Sequence, residues 1–164
     1  MNRSTLMMLT QSPERPATAA LRGIPYTGAW SGFLRTHATL VRKLDAELKE
    51  AHALALSSFE VLLHLSWAPE HRMHMGELSE SVLFTRSGLR RLLRGLEAEG
   101  LVQIEPCPED RRGACAVLTE AGLDRLCEAH PTHLAGVREH FFEHFSEVEL
   151  RAMAKCWRRV LSSA

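Results

Sequence analysis

A mainly α-helical fold with a small β wing is predicted by three features of the 164 residues. Leu89, Leu92, Leu93 and Leu96 recur at helical spacing, with Arg86, Arg90, Arg91 and Arg94 on the opposite face. Two strand-like runs follow, one from Leu101 through Val102 and Ile104 and one reading ACAVLT, on either side of the turn CPEDRRG. Apolar stripes at helical spacing lie both before and after this block. Composition agrees with a globular chain: 45% of residues are hydrophobic and 24% charged.

In chain order, residues 1–27 contain three prolines by position 25 and no sustained periodicity. They read as a flexible arm or as a segment crossing a partner subunit, with the run TLMML available to dock. From Gly28 to His52 a long helix is expected. Trp30, Phe33, Leu34, His37, Leu40, Val41, Leu44 and Leu48 form its stripe, and Arg35, Arg42, Lys43, Asp45, Glu47 and Lys49 its polar side. Ser57 and Glu60 have the spacing of a capping box for the next helix, which is apolar nearly all round and ends before Pro69. The segment EHRMHM then bridges to a short helix at Gly76–Leu83. His64, His71 and His74 have no spacing that forces them onto one metal, and no metal or cofactor is expected.

Thr85 is placed to cap the arginine-faced helix, and Gly100 to stop it. Helix, helix and two-stranded wing make a winged helix-turn-helix, a DNA-reading module. Arg86, Arg90 and Arg94 step by four along one stripe, with Ser87 and Arg91 beside it. Arg86, Ser87 and Arg90, near the helix start, are the candidates for base edges, and Arg91 and Arg94 for phosphate. At the wing tip the candidates are Asp110, Arg111 and Arg112. A bare solvated face and a plain charged hairpin tip are the bland alternatives. Thr119 starts a further helix, Pro131 is expected to kink or break it, and a new helix is expected at His133–His144. Ser146 and Glu149 form a capping box for a last helix striped by Val148, Leu150, Met153, Cys156, Trp157, Val160 and Leu161.

These residues resemble the MarR (multiple antibiotic resistance regulator) family of dimeric transcription factors. The matching marks are Glu77-Leu78, Thr85-Arg86-Ser87, LEAEGLV from Leu96, PEDRR from Pro108 and LTEAG from Leu118. The resemblance covers residues 33–164 as an architecture, with its specific motifs between Glu77 and Gly122. It implies that Asp110 orients Arg112 into a minor groove, and that the first and last helices join two copies. Leu83 stands where the family's turn often has glycine, and Gly88 where a hydroxyl or small side chain is common. The implied domain division is an arm (1–27), a first dimerisation helix (28–56), a DNA module (57–120) and C-terminal dimerisation helices (121–164).

The function expected is a homodimeric, sequence-specific DNA-binding regulator of a pseudo-palindromic double-stranded operator. The resemblance implies a repressor released by a small aromatic or anionic ligand. Tyr26, Trp30, Arg35, His37, His64 and Trp67 are the pocket candidates, with core packing as the alternative for the aromatic and imidazole side chains. Net charge is zero with histidine neutral, so any DNA affinity must come from local charge. Between Arg86 and Arg112 six arginines face five acidic residues, and four of the arginines lie within nine positions. No nucleophile–base motif or phosphate-binding glycine loop argues for an enzyme. With no apolar run long enough for a membrane span, a cytoplasmic location is expected. Cys107, Cys115, Cys127 and Cys156 are then expected as free thiols, although the first two flank the wing turn. The alternatives are an architectural or protein-interaction winged helix without ligand response, and a thiol-based regulator whose DNA binding an oxidant weakens.

Overall fold

The computed structural model describes residues 27–82, 85–107 and 113–162. The N-terminal arm, Leu83, Phe84 and the wing tip, including Asp110, Arg111 and Arg112, lie outside the described residues, as does Tyr26. The chain divides into two compact units, Met1–Thr39 and Leu40–Ala164.

Helix α1 spans Thr27–His52 and runs through both units. Its stripe divides: Leu44 and Leu48 are buried, whereas Trp30, Phe33, Leu34 and Val41 are exposed. Ala53, in the left-handed region at φ 50°, ends the helix, and its N–H returns to the Lys49 carbonyl at 2.9 Å.

Helix α2, Leu56–Trp67, starts without the expected Ser57–Glu60 capping box. Its cap residue is Ala55, which makes no side-chain cap, and the Leu56 N–H donates instead to Asp45 Oδ1 at 3.0 Å. Asp45 also accepts from Lys49 Nζ at 2.7 Å. That bond is the main reason its carboxyl sits below its ordinary range; partial burial opposes the shift and the Leu56 amide adds to it. A carboxylate presented by α1 thus replaces the local cap that the sequence suggested. Leu56, Phe59, Val61, Leu62 and Leu65 are buried, as a central helix requires.

A 3-10 turn, Pro69–His71, leads into strand β1, Arg72–His74. The expected bridge is therefore in part a strand, and the sheet has three strands, not two. Strands β2 (Val102–Pro106) and β3 (Ala114–Leu118) form the antiparallel wing hairpin, with Val102 opposite Leu118 and Pro106 opposite Ala114. β1 pairs with the far edge of β3, giving the order β1-β3-β2. An ion pair of 3.0 Å between Arg72 and Glu105 links the two outer strands.

Helix α3, Met75–Ser81, is capped by His74, whose Nδ1 accepts from the Gly76 N–H at 3.0 Å. Helix α4 is Arg86–Ala98, and Gly100 at φ 74° ends it in the conformation that glycine adopts at least cost. Leu78, Leu89, Leu93, Leu96, Val102, Ala116 and Leu118 join Phe59, Leu62 and Leu65 in one core.

Helix α5 runs unbroken from Glu120 to His140, capped by Thr119 through the Gly122 N–H. The expected break at Pro131 and new helix at His133–His144 do not occur; residues 142–144 form only a 3-10 turn. A mid-helix proline costs one backbone hydrogen bond and a clash with the preceding turn, about 3 kcal/mol. Packing on both sides of it opposes that cost: Leu126, Ala129 and Gly136 are buried, and Thr132 Oγ1 meets His52 Nε2 at 2.8 Å. Gly122 lets α5 start against the Leu101 carbonyl, which an added Cβ would approach to 2.1 Å. Helix α6, Glu147–Leu161, begins with the predicted Ser146–Glu149 capping box and buries none of its residues.

Cys107 and Cys115 are joined in a disulfide, and Cys127 and Cys156 are free and exposed. The expectation of four free thiols fails for the wing pair because the fold brings their Cα atoms to 5.2 Å, within disulfide reach. No helix among the described residues is long and apolar enough to cross a membrane.

Candidate nucleic-acid interface

The arginine face is positioned by what lies behind it. Leu89, Leu93 and Leu96 insert into the core, so the opposite side of α4 must point outwards. Arg86, Ser87, Arg90, Arg91 and Arg94 are all exposed. Arg86, Ser87, Arg90 and Arg94 line a shallow surface depression of about 330 Å³. Arg94 Nε donates to the Arg90 carbonyl at 3.4 Å, which lays this guanidinium along its own helix. Arg86, Arg90 and Arg91 have no acidic partner among the described residues, so their charge stays available to an anion.

The helix start is built by Thr85. Its Oγ1 accepts the Gly88 N–H at 3.2 Å and lies 3.4 Å from Ser87 Oγ. Gly88 therefore takes part in the cap through its backbone. At the other end, Glu97 Oε1 accepts the Ile104 N–H at 3.2 Å, tying α4 to β2. Thr119 Oγ1 donates to the Gly100 carbonyl at 2.7 Å, closing the corner where α4, the wing and α5 meet. These braces keep the helix and the wing in one relation. Glu97 and Thr119 were not among the sequence candidates, since a brace shows no local pattern.

The described pocket candidates are divided between the two units. In the first unit Trp30 stacks on Phe33 at 5.9 Å, and Phe33 lies 6.4 Å from His37. Trp30, Arg35 and His37 are exposed. In the second unit His64 meets Trp67 edge-on at 5.4 Å, and Trp67 is 69% exposed. No described cluster of His, Cys, Asp or Glu could hold a metal ion.

The MarR family model matches residues 54–113, from just after α1 into the wing. The crystal structure of AbsC, a MarR family transcriptional regulator from Streptomyces coelicolor, is 31% identical, superposes with a TM-score of 0.77, and aligns over 84% of this chain and 92% of that one. This chain belongs to the MarR family of transcriptional regulators. Sco3205, a MarR family regulator from the same organism solved in complex with DNA, is 28% identical with a TM-score of 0.77, over 82% of this chain and 85% of that one. Among curated proteins, the transcriptional repressor YetL of Bacillus subtilis is 26% identical over 65% of the chain, and the regulator PapX of Escherichia coli 30% over 57%. The chain spans 66% and 59% of the lengths of these two relatives. The matched segment takes in α2, α3, α4 and β2.

Proposed function

We propose that this MarR-family chain is a homodimeric, sequence-specific DNA-binding repressor that a small aromatic or anionic effector releases. The observation that carries the reading is α4: its leucine face is locked in the core and its arginine face is free, over a depression lined by Arg86, Ser87, Arg90 and Arg94. Guanidinium forks suit guanine edges and phosphates alike. Arg86, Ser87 and Arg90 meet bases in the major groove, and Arg91 and Arg94 the backbone. At the wing, Asp110 braces Arg112 for a flanking minor groove, with Arg111 beside it. The relatedness to a MarR regulator solved with DNA, and to a repressor, supports the reading.

The second copy is inferred from exposed apolar surface. Val148 and Leu161 of α6 are 76% and 75% exposed although the helix is amphipathic and well capped. Burying such a face against its own twin is the usual solution for a symmetric oligomer. Each copy then places one α4 in a half-site of a pseudo-palindrome. Effector release works as a population shift toward a spacing of the two modules that misfits the operator. The exposed His64–Trp67 edge contact offers an aromatic wall to such a ligand, and Tyr26, Trp30, Arg35 and His37 are the further candidates.

The test uses a duplex that the protein itself selects from a random pool. Affinity is expected to fall by roughly a thousandfold between about 50 and 200 mM salt. The triple substitution Arg86→Ala, Arg90→Ala, Arg112→Ala is expected to lower it at least about a hundredfold at fixed salt. Retained affinity in the triple variant refutes this mode of reading. Titrating the complex with aromatic acids tests release.

A further inference from the structure

Helix α5 is held on two sides by different chemistry. Toward α1 the Arg125 guanidinium donates to the His52 carbonyl, Thr132 Oγ1 meets His52 Nε2 at 2.8 Å, and His140 Nε2 pairs with Glu47. Toward α2 the rings of His130 and His133 lie 6.3 and 4.5 Å from that of the buried Phe59. His133 Nδ1 is buried and has no hydrogen-bond partner among the described residues. A neutral ring tolerates this place: with its proton on Nε2, only a lone pair at Nδ1 goes unmet. A charged ring does not, because Nδ1 becomes a second N–H donor with no acceptor in reach. Burial, with the neighbouring His130 charge second, accordingly holds His133 below its ordinary 6.5.

The charged and titratable groups around this joint do not offset such a charge. From α1 they are Asp45, Lys49 and His52; from α2, Glu60 beside Phe59; and from α5 itself, Arg125, Glu128 and His130. Asp45 is engaged by Lys49 and the Leu56 N–H, and Glu128 lies 3.7 Å from Arg125. The neighbouring charge that acts on His133 is that of another imidazole, His130. His140, further along α5, is set differently. Glu47 and Glu139 both lie beside its ring, with Lys43 Nζ 3.4 Å from Nδ1, so its charged form has carboxylate partners.

We propose that His133 is an acid-operated latch: neutral, it closes α5 on Phe59 of α2, and protonated, it lets α5 lift from α2 while the links to α1 hold. Opening brings Nδ1 to water, so the open state takes up the proton first. Each pH unit below 6.5 then favours that state by up to about tenfold, the ratio set by one proton. Helix α5 leads through a 3-10 turn to α6, the face assigned to the second copy. An open latch therefore disarranges the paired modules and lowers affinity for the operator. That last step rests on the DNA-binding dimer proposed above.

The experiment compares the full chain at about pH 7.5 and about pH 5.5, where imidazoles change charge. Backbone hydrogen exchange, corrected for its intrinsic pH dependence, is expected to quicken about tenfold in residues 126–140 at the lower pH and to stay unchanged in α4. The His133→Leu variant is expected to lose that response, and His140→Gln to keep it. In the wild type alone, which needs no variant to fold, NMR is expected to show the His133 ring titrating below 6.5. Unchanged exchange in α5, a response that persists in His133→Leu or vanishes in His140→Gln, or titration at or above 6.5 overturns the latch. On the selected duplex, acid is expected to weaken the wild type about tenfold more than His133→Leu. Opening without that difference overturns the coupling to the operator. If the wild type selects no duplex from the pool, the DNA reading falls, and the exchange result still decides the latch.

Discussion

Helices α4 and α6 follow one plan and meet opposite fates. Each is amphipathic, each is N-capped by a hydroxyl, Thr85 in one and Ser146 in the other, and each carries arginines. Yet α4 buries Leu89, Leu93 and Leu96 while α6 buries nothing. Periodicity alone tells which face of a helix seeks cover; it does not tell whether the cover belongs to the same chain. For α4 the cover is α3 and the wing, so its arginine face points outward. For α6 the apolar face is itself the surface left over, which is why it is assigned to a second copy.

The largest expected effect breaks or upholds this contrast directly. Leu93→Ala removes a fully buried side chain and is expected to cost roughly 2–5 kcal/mol in urea unfolding. Leu161→Ala on α6 is expected to stay within about 0.5 kcal/mol when measured on the dissociated chain, while raising the dissociation constant of the dimer in sedimentation experiments. Comparable losses for both would show that α6 packs on its own module. Next in size is Gly122→Ala, whose new methyl group would meet the Leu101 carbonyl; about 1–3 kcal/mol is expected, read as a lowered Tm.

The caps sharpen the contrast. Thr85→Ala and Ser146→Ala each remove a hydroxyl acceptor worth about 1 kcal/mol to its helix. Only the Thr85 change is expected to shift global unfolding, because α4 folds with the core. The Ser146 change should appear as lost helical ellipticity with little change in the midpoint.

The smallest effects are in pH. Burial, with the neighbouring His130 charge second, holds His133 below its ordinary value of 6.5. The unfolded chain therefore binds that proton first. Stability is expected to decline as pH falls below 6.5, and replacing His133 with leucine should flatten that slope. On α6 the Ser146 hydroxyl and amide hold Glu149 below its ordinary 4.5, so the cap survives that point and is lost as pH falls further. Circular dichroism and chemical unfolding, followed together from pH 7 downward, are expected to separate the two windows.

Much of α4 and its ends was legible in the chain because its determinants are local. The Thr85 cap, the leucine spacing, Gly100 and the outward arginines all act within a few residues of one another, and all appear as read. The failures have a common cause in distance along the chain. Strand β1 is three residues long and exists only because β3 offers it an edge. The start of α2 was read as a Ser57–Glu60 box, but Asp45, eleven positions upstream, takes the amide. Of the kink or break expected at Pro131, the break does not occur, and burial on both sides of it opposes one. The wing cysteines read as free thiols by compartment, whereas the fold of the hairpin sets their separation.

By itself, then, the sequence determined where α4 begins and ends, where α5 and α6 begin, and which face of α4 is apolar, because capping and periodicity are short-range. Tertiary structure alone decided which apolar faces find cover within the chain. It brought Arg72 to Glu105, Glu97 to β2 and Cys107 to Cys115, and left the apolar face of α6 outside. Those outcomes depend on competition among many surfaces for one core, and no window of sequence contains all the competitors.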